Sequence, residues 1–223
     1  MKKAFAISLL CFFSAAAVFC QQILTAGAFF QSVSEYYGTI KDYESAITIK
    51  ENNTTMRGQV SFKRPNLLRI DFTNPESQVI CFNGDLLTIY LPRSRAIFNQ
   101  TVSGGNSGAN LATPQGLSLM SRYYSIAYET GQQAVPLEEG SSEMVVKLIL
   151  SRKSTSEGFR SIKLSIDPNT KLIRRIEGIS TSDATFIFDF TDYRLNTGMP
   201  DTRFIYEAPS SANNYNNFLY TTE

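Results

Sequence analysis

Apolar and polar residues alternate along residues 56–63, with Met56, Gly58, Val60 and Phe62 on one side and Arg57, Gln59, Ser61 and Lys63 on the other. This period of two predicts a strand with one buried face, which the Pro65-Asn66 pair ends. Leu68, Ile70 and Phe72 then alternate with Leu67, Arg69 and Asp71 until Asn74-Pro75 breaks the run. Val79 to Phe82 is apolar on both sides. Asn83-Gly84-Asp85 supplies a tight turn, because Asn and Gly tolerate positive φ, and Leu86 to Leu91 runs back. Both faces of these four short strands carry apolar residues. Both must therefore be covered, by other parts of the protein or by something apolar that it carries.

The flanking chain supplies candidates for the cover. Ile23, Gly27, Phe30, Ser34 and Tyr37 fall at helical spacing and predict an amphipathic helix over 22–37, with Gly38 to end it. Tyr43, Ser45, Ile47 and Ile49 alternate with Glu44, Ala46, Thr48 and Lys50 as a first strand, and residues 95–102 predict a sixth. The glycine-rich stretch 103–110 has no Gly-Lys-Ser/Thr ending and reads as a flexible connector, not a phosphate cradle. Thr113-Pro114 caps a second helix expected near residues 112–129, where Leu117, Met120, Tyr124 and Ala127 make an apolar stripe. Such a helix on a mobile connector can act as a lid. Strands are expected again at 144–150, around 162–166, at 171–179, at 184–190 and, briefly, at Phe204 with Tyr206. About eleven strands and two helices leave too few crossovers for a wound α/β fold. The fold class expected is mainly β, an antiparallel sheet curved around two amphipathic helices.

Composition narrows the function. The 223 residues carry 21 basic and 20 acidic side chains, and losing Lys2 and Lys3 with the N-terminal segment turns a charge of +1 into −1. That balance does not suit nucleic acid. Met1-Lys2-Lys3 and the apolar run from Ala4 to Phe19 resemble a secretory signal over residues 1–20, leaving one domain over 21–209 and a polar tail over 210–223. Ala15-Ala16-Ala17 suits a signal peptidase, as does a cut after Cys20; lipidation of Cys20 is a third outcome, against which Phe19 stands. Cys81 is then the only cysteine within the domain and reads as a small buried apolar residue. There is no histidine, the carboxylates show no paired spacing, and no cofactor is implied. Binding is favoured over catalysis.

The order G-x-V-x-F-K-R-P-N-L-L-R-I-D-F-T-N-P from Gly58 to Pro75, followed by an apolar strand, the N-G-D turn and L-x-I-Y-x-P, resembles the periplasmic outer-membrane lipoprotein carrier family, the soluble carrier of the Lol pathway. More loosely, the resemblance runs from Phe29 to Pro209. It implies an unclosed β-barrel whose helices cap a hydrophobic cavity, and a monomeric periplasmic carrier of lipoprotein acyl chains. Its partners would be an inner-membrane lipoprotein-releasing complex and an outer-membrane acceptor. The resemblance also implies that Arg64, after the lysine of K-R-P, hydrogen-bonds the lid helix and closes the empty state; by itself Arg64 reads as a surface arginine. The cavity would be lined by Phe62, Leu68, Ile70, Phe72, Ile80, Phe82, Ile89, Met120, Tyr124, Met144, Phe186 and Phe188, which could equally fill an ordinary β-sandwich core. Two alternatives stand beside this reading. One is a membrane-anchored acceptor of the same fold, for which the turn Thr73 to Gln78 lacks the exposed apolar residue expected; the other is a structural surface β protein without ligand.

Overall fold

A computed structural model describes residues 24–102 and 113–218. The predicted signal, Cys20 and the glycine-rich connector lie outside the described residues. Helix α1 (Ala26–Thr39) starts at Thr25, whose hydroxyl accepts from the Ala28 amide at 3.2 Å, and buries Ala26, Phe29, Phe30, Val33 and Tyr37 along one stripe. Five antiparallel strands then meander: β1 (Asp42–Glu51), β2 (Thr54–Lys63), β3 (Leu67–Asn74), β4 (Val79–Phe82) and β5 (Leu86–Leu91). The N-G-D turn forms as expected: Gly84 takes φ +106°, and Asn83 Oδ1 accepts from the amides of Asp85 (3.1 Å) and Leu86 (2.9 Å). Strand β6 (Ala96–Thr101) completes this half.

Helix α2 (Pro114–Tyr123) begins at the expected Thr113 cap but stops six residues short of its expected end. Tyr124 is extended and opens β7 (Tyr124–Tyr128), which pairs with β9 (Met144–Arg152). The four-residue spacing from Met120 to Tyr124 suits a helix, but Tyr124, Ile126 and Tyr128 also alternate with Ser125 and Ala127. The period of two prevails because β9 offers these β-forming residues a partner. After the two-residue β8 (Val135–Pro136) come β9, β10 (Phe159–Ile166), β11 (Ile173–Ser180) and β12 (Thr185–Leu195). Phe204 lies not in a strand but in a 3-10 turn, Asp201–Phe204. The last strand, β13 (Asn213–Asn216), falls within what reads in the sequence as a tail.

The strands form one sheet in the order β13-β6-β5-β4-β3-β2-β1-β12-β11-β10-β9-β7, with β8 beside β9. All pairings are antiparallel except β13 with β6. The end strands do not pair with each other, so the sheet is an unclosed barrel, with thirteen strands among the described residues where about eleven were expected. Both faces are covered, as the pattern required. Buried stripes of α1 and α2 join the core of one face. Over the other lies the chain from Met199 to Tyr206, above the buried Val79, Cys81 and Ile97: Cys81 Sγ lies 3.2 Å from the Phe204 carbonyl oxygen, and Arg69 donates to the carbonyls of Arg203 (3.1 Å) and Ile205 (3.3 Å).

Candidate apolar groove and the junction that holds its helices

Strand register sorts the side chains into rows across the concave face. Val60, Ile70, Ile80, Ile89 and Phe98 stand in one row, and Tyr43, Phe62, Leu68, Phe82 and Leu87 in the next. On the other side of β1, Ile49, Phe188, Ile176, Leu164, Leu148 and Tyr128 make a third. Of the residues predicted to line a cavity, Phe62, Leu68, Ile70, Phe72, Phe82, Met120 and Tyr124 are buried in the core that joins this face to the helices. Ile80, Ile89, Phe186 and Phe188 are only partly buried, as are Met56 and Leu87 beside them. Met144 does not join these residues: it starts β9 at the margin of the sheet, opposite Pro136, and is 45% exposed. The alternation puts it in phase with the buried Val146 and Leu148, but as the first residue of β9 it stays exposed.

The partly buried residues fall in two places, Ile80, Leu87 and Ile89 on β4 and β5, and Met56, Phe186 and Phe188 on β2 and β12. Phe186 meets the ring of Phe159 edge to face at 6.2 Å, and that ring in turn lies over Gly178, where a Cβ would come within 2.8 Å of it. At the opposite end, where α1 meets β7, Leu24, Phe29, Tyr128, Val146 and Pro168 line an open cleft of about 460 Å³. Tyr128 donates to the Leu24 carbonyl at 2.9 Å there, and Tyr124 ties β7 to the Phe159 carbonyl at 3.1 Å.

The Lys63-Arg64-Pro65 element connects three separate pieces of the molecule. Lys63 points to the convex side, where its ammonium donates to the Met199 carbonyl at 2.6 Å and pairs with Asp201 at 2.5 Å. Arg64 is exposed and its guanidinium donates to the Gly38 carbonyl in the last turn of α1. The Pro65 carbonyl accepts from the Gln115 side-chain amide, at the start of α2, at 2.5 Å. Arg64 thus holds a helix by its carbonyl, but that helix is α1; the link to α2 belongs to Pro65 and Gln115. Gln115 escaped the sequence reading because an amide on the polar face of a helix carries no pattern of its own.

Two polar clusters hold the frame around the groove. The Tyr37 hydroxyl accepts from the Ile173 amide (3.0 Å), Tyr193 donates to the Ile173 carbonyl (2.9 Å), and the two hydroxyls lie 3.5 Å apart. This anchors α1 to β11 and β12. Burial pushes the Tyr37 phenol up to about 12 and those of Tyr43 and Tyr193 well above the ordinary tyrosine value. Asp42, also missed in the sequence, is buried at the start of β1. Its carboxylate accepts from the Thr197 amide (2.7 Å), the Thr197 hydroxyl (3.0 Å) and the Gly198 amide (3.2 Å), turning the chain from β12 onto the convex face. Among the described residues, no cluster of acidic or cysteine side chains could hold a metal ion, and no helix is long and apolar enough to cross a membrane.

Comparison with known proteins agrees with this architecture. Among solved structures, an uncharacterised conserved protein of Thermus thermophilus is 14% identical with a TM-score of 0.55, over 83% of this chain and 98% of its own. The lipoprotein LppX of Mycobacterium tuberculosis is 9% identical with a TM-score of 0.52, over 78% and 97%. The Pseudomonas aeruginosa MucA/MucB complex contributes a chain 12% identical with a TM-score of 0.50, over 82% of this chain and 61% of that one. At such identities these likenesses speak for the fold alone. A search of curated proteins finds no match. The family profile described as outer membrane lipoprotein carrier protein LolA matches residues 47–207, a stretch that takes in the K-R-P element, the N-G-D turn and every strand from β2 to β12, and the chain belongs to that family.

Proposed function

We propose that this protein binds the acyl chains of lipoproteins on its concave face and carries them, outside the cytoplasm, from an inner-membrane releasing complex to an outer-membrane acceptor. The observation that carries the reading is the set of apolar side chains left only partly buried on the concave face, Ile80, Leu87 and Ile89 on β4 and β5 and Met56, Phe186 and Phe188 on β2 and β12, on a sheet whose core packs against two helices. Acyl chains suit such a surface because each methylene removed from water contributes about 0.8 kcal/mol without directional contacts. Release then needs a competing closed state. The helix ties at Gly38 and Pro65 are the right kind of counterweight: hydrogen bonds each contributing about 1 kcal/mol, somewhat more where charged, can shift an open–closed balance severalfold to tenfold without matching the whole lipid affinity. Membership of a carrier family, the absence of histidine and the apolar character of the face support binding rather than catalysis.

The reading is tested by titrating the protein without residues 1–20 with a diacylated lipopeptide and following the complex by native mass spectrometry. Saturable binding is expected, and Ile89→Glu, which places a carboxylate among the acyl chains, should weaken it at least tenfold with the fold retained. No binding by the parent protein, or equal binding by the variant, would count against an acyl site on this face. The acceptor alternative is distinguished by the mass of the mature N-terminus, since a diacylated Cys20 would make the protein membrane-anchored. The turn Thr73 to Gln78, with no apolar residue to insert into a bilayer, favours the soluble carrier.

A further inference from the structure

Among the described residues strand β13 is the one parallel partner in an otherwise antiparallel sheet, and all four of its residues are exposed. Its attachment to β6 is nonetheless specific on both faces. On the convex side the Asn99 side-chain amide donates to Asn214 Oδ1 (3.1 Å) and Asn216 Oδ1 (3.4 Å), while its own Oδ1 accepts from the Thr88 hydroxyl (2.9 Å). On the concave side Phe98 stacks against Tyr215 (5.2 Å, 19°) and meets Phe218 edge to face (5.4 Å). Backbone bonds close the two ends, from the Asn213 amide to the Arg95 carbonyl (2.7 Å) and from the Asn217 amide to the Asn99 carbonyl (2.8 Å).

We propose that the β6 edge is a strand-docking site, filled in this structure by the chain's own C-terminal segment, which exchanges it for an extended peptide of a partner. The site selects a parallel strand with asparagine or another amide on the convex side and an aromatic residue on the concave side. Its resident is short and exposed: Tyr215 remains 50% exposed, and the bonds of a four-residue edge strand compete directly with water. Vacating the site uncovers backbone donors and acceptors together with Phe98, which is what an incoming strand needs for affinity and for register. The position also has consequences for whatever the concave face holds, because Tyr215 and Phe98 continue the row of Ile70, Ile80 and Ile89. An extended segment seated here lies alongside that row. The inference concerns a peptide and stands independently of the acyl-chain reading.

The test uses a fluorescent peptide of residues 210–218 and the protein with and without residues 210–223. The shortened protein should bind the peptide saturably at one to one, and the full chain at least tenfold more weakly, because its own segment competes. A peptide with Tyr215 and Phe218 replaced by serine should lose most of its binding. Absence of binding to the shortened protein, or equal binding to both, overturns the proposal. A second measurement needs no truncation. Asn99→Leu in the full chain removes the amide ladder and should speed hydrogen exchange at the amides of Asn213 and Asn217 at least tenfold, with β1 and β2 unaffected; unchanged exchange would equally overturn it.

Discussion

Arg64 and Pro65 are neighbours in the chain but hold different helices: Arg64 donates to the end of α1, and Pro65 accepts from Gln115 at the start of α2. Substitution of Arg64 and of Gln115 should separate the two helices' contributions. If α2 is the part that moves, Gln115→Ala should slow delivery of lipoprotein from loaded protein to acceptor more than Arg64→Leu does, while both load normally. Transfer measured side by side decides it, and a larger defect in Arg64→Leu would make α1 the closing element. A charged donor contributes about 1.5–3 kcal/mol where sheltered, but Arg64 is exposed and its bond competes with water, so a loss of severalfold is expected rather than abolition. The family resemblance made Arg64 legible; the sequence itself left it a surface arginine. Which helix it touches follows from the β1–β2 hairpin: Asp42 pairs with Lys63 and the Arg64 amide donates to the Lys41 carbonyl at 2.9 Å, which sets Arg64 beside the end of α1. The tyrosines offer a second test at this scale. The Tyr37 phenol is raised from 10.0 to about 12, so its neutral form is favoured by the fold. Its contribution, about 3 kcal/mol at most, is fully present below pH 10 and is lost as pH rises toward 12. Stability should therefore fall steeply above pH 10, and Tyr37→Phe should flatten that fall while lowering stability at about pH 7 by about 1–3 kcal/mol, because the Ile173 amide loses its acceptor. Denaturant titrations at neutral pH and at steps up to about pH 11 measure both effects.

At the scale of elements, most strands were legible and the ends of the helices were not, while β7, β8 and β13 went unread and the strand expected at Phe204 did not form. Alternation across β2 and β3 put Met56, Val60, Phe62, Leu68, Ile70 and Phe72 on the side that joins the core, since a period of two leaves only two possibilities. Met120 and Tyr124, in contrast, fitted both a helix and the start of a strand, and only the presence of β9 as a partner decides between them. Met144 shows the converse: its parity is right, yet as the first residue of β9 it stays exposed. Two glycines make a further comparison. At Gly58, beside an irregularity in the β2–β3 ladder, a Cβ would lie 2.3 Å from the Asp71 carbonyl oxygen, so a side chain forces backbone apart. At Gly178 the obstacle is the Phe159 ring, which can turn aside. Gly58→Ala should cost about 1–3 kcal/mol or more and Gly178→Ala distinctly less, as read from denaturation midpoints. Equal losses would mean that the β2–β3 ladder yields as easily as a side chain does.

Across the whole molecule, the convex cover is the part least visible in the sequence. Apolar residues on both faces of β4 announced that a cover was needed, but what supplies it, residues 199–206, lies more than a hundred positions away and is placed by polar contacts of Asp42, Lys63 and Arg69. Cys81 reports on it. The thiol is 2% exposed, and burial raises its pKa, so it should react slowly with a disulfide reagent in protein lacking residues 1–20. Asp42→Ala, which frees the turn at Thr197 and Gly198, should accelerate that reaction at least tenfold before any change in the circular dichroism of the sheet. If the rate is unchanged, the cover is held by its own apolar contacts and the carboxylate is dispensable.

The two end strands of the sheet, β7 and β13, are not bonded to each other. In a closed barrel the radius is fixed by strand number and stagger, so the interior has one size. An open sheet is under no such constraint: a small change of twist, shared among all its ladders, widens or narrows the aperture with every backbone hydrogen bond retained. Under the proposed acyl-chain reading, lipids bearing two or three chains would differ in how far the sheet uncurls to admit them, and girth, not a fixed set of contacts, would be the property on which the face discriminates.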